Sequence, residues 1–127
     1  MKKVLVTGGL GFIGSHTVVE LYNAGFEAII IDNLSNSSIS VLDGIERIIG
    51  YKPFFQNIDL REKAAVQQFF AQQQDVVGVI HFAASKAVGE SVENPLLYYE
   101  NNLNTLVYIL QELSKMPEAN FIFSSSC

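Results

Sequence analysis

The feature that most limits the possible fold is a run of glycines, Thr-Gly-Gly-Leu-Gly-Phe-Ile-Gly, at residues 7–14. A short apolar segment precedes this run and predicts a strand over residues 3–7. An amphipathic segment follows it and predicts a helix over residues 12–24. A glycine run is a weak signal alone, since ordinary turns also contain glycine. Between a first strand and a first helix, it indicates a dinucleotide-binding turn.

The spacing of three glycines in this run suits that task. Gly8 permits a tight turn out of the strand, and Gly11 lets the backbone come close to a pyrophosphate. Gly14 is expected to let the helix pack closely on the sheet. Phosphates would then face backbone N–H groups at the positive end of the helix.

Short apolar segments alternate with amphipathic segments along the rest of the chain. The further predicted strands cover residues 28–32, 54–58, 76–82 and 120–125, and the further predicted helices cover 40–50, 61–74 and 96–114. The strands are continuous apolar runs, which are typical of a parallel sheet covered on both faces. The sequence therefore predicts an α/β fold with a doubly wound parallel sheet, the Rossmann fold of NAD-binding proteins.

Composition excludes several classes of protein. The 127 residues suffice for one domain, and their net charge of −5 argues against a nucleic-acid partner. A single cysteine, Cys127, rules out an internal disulfide and is typical of a reducing compartment such as the cytoplasm. The apolar run Val4–Val6 is too short for a secretion signal or a membrane span. No membrane partner is therefore expected. No metal-binding spacing is present either, so no metal is expected.

Two acidic residues stand where strands are predicted to end. Asp32 lies 18 residues after Gly14, where a carboxylate accepts the ribose hydroxyls of a dinucleotide. No Arg or Lys follows it up to Ser37, so NAD is favoured over NADP; the alternative is a turn or cap residue. Asp59 is positioned to meet adenine, or else to cap the helix that is predicted to begin at Arg61.

Polar residues also lie at the ends of the fourth and fifth predicted strands. His81, inside an apolar strand, is interpreted as a core residue rather than a base. Lys86 is either a cofactor or phosphate contact or a solvated loop lysine. The serines at 124–126 either orient a substrate hydroxyl or form hydrogen bonds at the strand end.

Five segments together resemble the extended short-chain dehydrogenase/reductase superfamily and, within it, the UDP-sugar 4-epimerases. They are residues 7–14, 32–37, 81–91, 98–102 and 121–126. The resemblance implies a tightly held NAD that takes hydride from the sugar C4 and returns it to the other face. The implied reaction interconverts UDP-glucose and UDP-galactose.

The resemblance also implies roles for individual residues. It implies that NAD contacts Gly8, Gly11, Phe12, Ile13, Gly14, Asp32, Asn33, Asn36, Ser37, Asp59, Leu60, Phe82, Ala83, Lys86 and Asn101. It implies that the UDP-sugar contacts Lys86, Ala87, Val88 and Ser126. Ser126 matches the catalytic serine that hydrogen-bonds the reacting hydroxyl.

The chain departs from that superfamily in one respect. The superfamily's base is the tyrosine of a Tyr-x-x-x-Lys pair, whereas none of the five tyrosines here has a lysine four residues later. We therefore expect residues 1–127 to be an incomplete NAD-binding domain without its substrate domain, inactive alone and part of a homodimer when complete. The alternatives are another sugar-nucleotide enzyme such as a dehydratase, or a non-catalytic NAD-binding module. A natural short form that dimerises through its uncovered last strand is the alternative to truncation.

Overall fold

Strands and helices alternate along the chain in the computed structural model, which describes residues 2–34, 38–73, 76–82, 95–116 and 119–123. In chain order the elements are β1 (Lys2–Thr7), α1 (Phe12–Asn23), β2 (Phe26–Ile31), α2 (Ser40–Ile49), β3 (Phe54–Gln56), α3 (Lys63–Gln72), β4 (Val76–His81), α4 (Pro95–Leu113) and β5 (Asn120–Phe123). This alternation is the βα pattern that the apolar and amphipathic segments predict.

The strands form one parallel sheet in the order β3-β2-β1-β4-β5. Thr7, the last residue of β1, pairs with Ile31 on one side and with His81 on the other. Ile31 pairs in turn with Gln56, and His81 with Phe123. The carboxyl ends of all five strands therefore lie in one row. The chain passes from β1 to β2 on one side, while β4 flanks β1 on the other, so the strand order reverses at β1, where such folds bind ligands. The predicted parallel α/β fold of the Rossmann type is confirmed.

The described residues fall into two compact units, and the first contains the sheet with α1 and α2. The central strands are apolar and buried because they are covered, with Val4, Leu5 and Val6 of β1 at most 7% exposed. Helix α2 buries Leu42, Ile45 and Ile49, which lie on one helical face at spacings of three and four. This face joins the buried residues of β1, β2 and α1 in one core. The glycine turn thus follows a strand that is part of the packed core, and its own Leu10 belongs to that core.

Helices α3 and α4 make up the second unit and contact each other. Helix α3 buries Val66, Phe69 and Phe70, whose two rings meet edge to face at 5.5 Å. Helix α4 begins at Pro95, one residue before the predicted start, and proline suits this position because a first-turn residue needs no N–H partner inside the helix. Among the described helices, none is long and apolar enough to cross a membrane.

Several predicted boundaries differ from the structure by a few residues. Strand β3 spans three residues where five were predicted, and β2 ends at Ile31, one residue before Asp32. Helix α3 begins at Lys63 instead of Arg61, because residues 59–62 form a turn in which the Glu62 N–H donates to the Asp59 carbonyl oxygen. Gly25 and Gly50 follow α1 and α2 at φ +89°, a left-handed conformation that suits glycine after a helix.

Candidate functional site

The glycine run forms a tight turn at the carboxyl end of β1. Gly8 has φ +70°, in the left-handed region that glycine adopts without steric penalty. Its N–H donates to the Ile31 carbonyl oxygen at 2.7 Å, which ties the turn to β2. The Gly11 N–H donates to the Gly8 carbonyl oxygen at 3.0 Å and closes the turn immediately before α1.

Two other glycines in the run are required by close approach. A Cβ at Gly14 would lie 2.1 Å from the Gly8 carbonyl oxygen and 3.0 Å from the Gly9 Cα. Gly14 therefore packs closely against the turn itself and not, as predicted, against the sheet. A Cβ at Gly9 would lie 2.7 Å from the Ile30 Cγ2. Gly9 has no predicted role, because its contact is with Ile30 of another strand.

The first turn of α1 leaves backbone donors available for an anion. Gly11 occupies the N-cap position in an extended conformation and has no side chain that could cap the helix. By helix geometry, the N–H groups of Phe12, Ile13 and Gly14 have no partner within the helix. No acidic residue of α1 lies in this first turn, so no side chain of the helix itself caps these N–H groups. The side chains of Phe12 and Ile13 are 82% and 48% exposed, which leaves them accessible to a ligand.

Asp32 lies beside this turn and is only 8% exposed. Its Oδ2 accepts the Leu10 N–H at 3.2 Å, and its Oδ1 accepts the Leu34 N–H at 2.8 Å. Leu34 has φ +63°, so Asp32 does shape the turn that follows β2, as one interpretation predicted. A carboxylate has about four acceptor sites, so hydrogen bonds from two backbone N–H groups are compatible with ribose hydroxyls as further donors. Asn33, also a predicted cofactor contact, is exposed next to it.

The carboxyl ends of β1 and β4 are joined by side chains as well as by the sheet. Thr7 Oγ1 and His81 Nδ1 are 2.6 Å apart, and both residues are buried. Burial lowers the pKa of His81 to about 4, so the imidazole is neutral near pH 7. The imidazole tautomer sets which of Nδ1 and the Thr7 hydroxyl donates in their hydrogen bond. The Phe82 N–H donates to the Thr7 carbonyl oxygen and to its Oγ1, at 3.0 and 3.1 Å. This network orients the backbone at Phe82, a predicted cofactor contact.

Asp59 is held by a neighbouring arginine. Its Oδ1 accepts the Arg61 backbone N–H at 3.0 Å, and the Arg61 guanidinium binds both carboxylate oxygens at 2.7–3.1 Å. The side-chain hydrogen bond from Arg61 lowers the pKa of Asp59. The interpretation of Asp59 as the N-cap of α3 is wrong, because Glu62 occupies that position. The adjacent Leu60, predicted to line adenine, is buried.

The remaining predicted site residues lie in α4 or outside the described part of the chain. Asn101 belongs to α4. Residues outside the described part of the chain are Asn36, Ser37, Ala83, Lys86, Ala87, Val88 and Ser126. Within the described part, no group of three or more His, Cys, Asp or Glu residues could hold a metal ion.

A family model and the sequences of known proteins both relate this chain to epimerases. The model of the NAD dependent epimerase/dehydratase family matches residues 4–127. UDP-glucose 4-epimerase of Neisseria meningitidis serogroup B is 46% identical over 127 residues, which cover 99% of this chain and 37% of that relative. UDP-glucose 4-epimerase of Haemophilus influenzae is 48% identical over 123 residues, covering 97% of this chain and 36% of that relative.

A solved structure gives the same picture. UDP-glucose 4-epimerase of Bifidobacterium longum, in complex with NAD+ and UDP, superposes with a TM-score of 0.89 at 44% identity. The superposition covers 98% of this chain and 37% of that structure. This chain therefore spans little more than a third of the length of the proteins that it matches.

Proposed function

The chain belongs to the NAD dependent epimerase/dehydratase family, and we propose that its 127 residues are the NAD-binding part of a UDP-glucose 4-epimerase. In this proposal they form an incomplete Rossmann domain. The substrate domain corresponds to the part of the relatives that these residues do not cover. The relatives that span the whole chain carry the epimerase name, which favours an epimerase over a dehydratase.

The geometry of the glycine turn is the observation that carries the proposal. Gly14 has no room for a Cβ against the Gly8 carbonyl oxygen, and α1 begins without a capping side chain. A turn of this shape brings the backbone close to a ligand and presents N–H groups to a pyrophosphate. In this assignment the N–H groups of Phe12 and Ile13 bind the pyrophosphate, and Asp32 accepts the ribose hydroxyls. An Asp at that place would repel a 2′-phosphate, so the dinucleotide is NAD and not NADP.

Bound NAD would supply the hydride acceptor for oxidation at the sugar C4. The chain's own residues then have three tasks in the proposal. Phe82, Ala83, Lys86 and Asn101 line the cofactor, with Asn36, Ser37, Asp59 and Leu60 on the adenosine side. Lys86, Ala87 and Val88 border the UDP-sugar, and Ser126 hydrogen-bonds the reacting hydroxyl. These assignments rest on the family's sequence pattern.

The 127 residues lack a Tyr-x-x-x-Lys pair, and a general base contributes about 10²–10⁴-fold to a rate. We therefore expect this polypeptide to bind NAD without epimerising UDP-sugars. For the complete protein we propose a homodimer in the cytoplasm that interconverts UDP-glucose and UDP-galactose in galactose metabolism. The single cysteine supports a reducing compartment.

Thermal unfolding of the 127-residue chain with NAD or NADP tests the binding proposal. Free ligand at 100 times its Kd stabilises a folded protein by about 2.7 kcal/mol, which raises the Tm. NAD should raise the Tm, and NADP at equal concentration should raise it less. An unchanged Tm at millimolar NAD would contradict the proposal.

The reaction needs a separate test on the protein purified from its own cells. Incubation with UDP-galactose should yield UDP-glucose, detected by chromatography and mass. A product lighter by one water would instead identify a dehydratase.

A further inference from the structure

Resting on the proposed function, we propose that Asp32 is a positioning residue for the pyrophosphate as well as the acceptor for ribose hydroxyls. Its carboxylate holds the glycine turn in the shape that binds phosphate before any dinucleotide is present. The two halves of the dinucleotide site are thereby coupled through one side chain.

Two hydrogen bonds that tie the turn to the end of β2 carry this inference. One joins the Gly8 N–H to the Ile31 carbonyl oxygen at 2.7 Å. The other joins the Leu10 N–H to Asp32 Oδ2 at 3.2 Å. The first bond is between backbone groups and is available to any sequence. The second requires an acceptor side chain, so the shape of the turn around Leu10 depends on the identity of residue 32.

The burial around this second bond makes it a fixed feature of the turn. The Leu10 side chain is 1% exposed, so the peptide that carries its N–H is anchored from the apolar side as well. Asp32 is 8% exposed, and the Leu34 N–H at 2.8 Å holds its other carboxylate oxygen. A buried N–H that loses its acceptor is left without compensation for lost water. The carboxylate is thus oriented from two sides before a ligand arrives.

The Leu10 peptide immediately precedes Gly11, the N-cap of α1. A displacement of Leu10 therefore changes the direction of the N–H groups that follow in the first turn of the helix. Loss of the Asp32 charge and loss of the turn's shape therefore have opposite effects on anion affinity. Removing a negative charge beside an anion site should tighten anion binding by simple electrostatics. Loss of the turn's shape should weaken it, even for an anion that has no ribose.

The first test is amide hydrogen exchange in the unliganded chain with the Asp32→Asn variant. The asparagine amide has one acceptor oxygen, so it cannot serve both Leu10 and Leu34 as the carboxylate does. We expect Leu10 or Leu34 to exchange about tenfold faster, with Leu10 affected when the oxygen stays on Leu34. The Gly8 amide and the amide of the buried core residue Leu5 serve as internal references and should change little. Asp43→Asn, at an exposed position of α2, is the matched control for charge.

The second test measures binding of inorganic pyrophosphate by NMR titration. Asp32→Asn should weaken pyrophosphate binding several-fold despite its more favourable charge, and Asp43→Asn should not weaken it. Unchanged exchange at both Leu10 and Leu34 overturns the proposal. So does tighter or unchanged pyrophosphate binding in Asp32→Asn when its Leu10 amide exchanges faster than in the wild type. If wild-type protein binds neither NAD nor pyrophosphate while Asp32→Asn still exposes Leu10, the proposed function fails and the bracing of the turn stands.

A variant that does not fold would leave the exchange test undecided, so Asp32→Glu provides a second measurement. It keeps the charge and moves the carboxylate one methylene further from the backbone. Faster exchange at Leu10 relative to Leu5 again supports a positioning role that depends on geometry. Wild-type exchange and wild-type pyrophosphate affinity in Asp32→Glu, with Asp32→Asn unfolded, would overturn it.

Discussion

Replacing Gly14 with alanine is the sharpest test of the turn's geometry. The added Cβ would lie 2.1 Å from the Gly8 carbonyl oxygen, whereas real Cβ contacts are essentially never shorter than 3.0 Å. The two atoms must separate by about 1 Å, and both belong to or are fixed by backbone, so no side-chain rotation relieves the clash. Gly8 has little freedom to move, because its N–H is bonded to Ile31 at 2.7 Å.

Gly44→Ala is the matched control, because a Cβ there would meet nothing within 4 Å. Gly44 also lies within a helix, α2, so both substitutions gain up to about 1 kcal/mol of helix propensity. Overpacking a rigid contact destabilises by about 1–3 kcal/mol, and a backbone oxygen belongs at the upper end of that range. We expect Gly14→Ala to unfold more easily than Gly44→Ala by about 3 kcal/mol. For a chain of this length that is a Tm difference of about 10 °C.

The free energies of unfolding are measured by urea denaturation, with a constant m-value as the check on two-state behaviour. A parallel NAD titration gives the functional result. Gly14→Ala should bind NAD more weakly at a temperature where it remains folded, and Gly44→Ala should match the wild type. Equal stability of the two variants, within about 0.5 kcal/mol, would refute the argument from close approach.

Two further predictions concern titratable groups. The pKa of His81 is about 4 in the folded chain and about 6.5 when unfolded, so the unfolded state binds more protons between these values. Wild type should therefore lose up to about 3 kcal/mol more stability than His81→Gln as the pH falls from 7 to 4, and parallel pH profiles in urea denaturation would contradict this. Arg61→Ala should raise the NMR-measured pKa of Asp59 and change stability by less than about 1 kcal/mol, because Arg61 is half exposed. An unmoved Asp59 pKa would show that the ion pair does not form in solution.

The fold was largely predictable because most residues of its central strands β1, β2 and β4 are buried. Continuous apolar runs such as Val4–Val6 mark covered strands, and the intervening amphipathic segments mark helices. The ends of β3 and α3 were predicted less well. Their limits depend on a local turn in which Asp59 accepts the Arg61 N–H, and several turns fit such a polar stretch equally well.

The sequence predicts the type of turn at the candidate site, but it does not predict which atoms the glycines contact. The glycine spacing predicts a phosphate-binding turn because each glycine relieves a steric limit of that turn. Which atom Gly14 meets depends on the angle at which α1 leaves the turn, and the sequence does not contain that angle. Gly9 was missed for a similar reason, since its neighbour Ile30 belongs to a strand that follows 21 residues later in the chain.

The same reasoning explains why we propose two roles for Asp32, of which the sequence motif records only one. A motif records that an acid at this distance from the glycines accompanies ribose binding. The structure adds that β1 and β2 are adjacent and in register, with Thr7 opposite Ile31. Residues that follow these two strands must therefore meet, and the Leu10 N–H reaches the Asp32 carboxylate as a consequence. In our proposal the residue at this junction serves more than ribose binding, because a substitution that removes its acceptor oxygen also disturbs the turn to which we assign the phosphates.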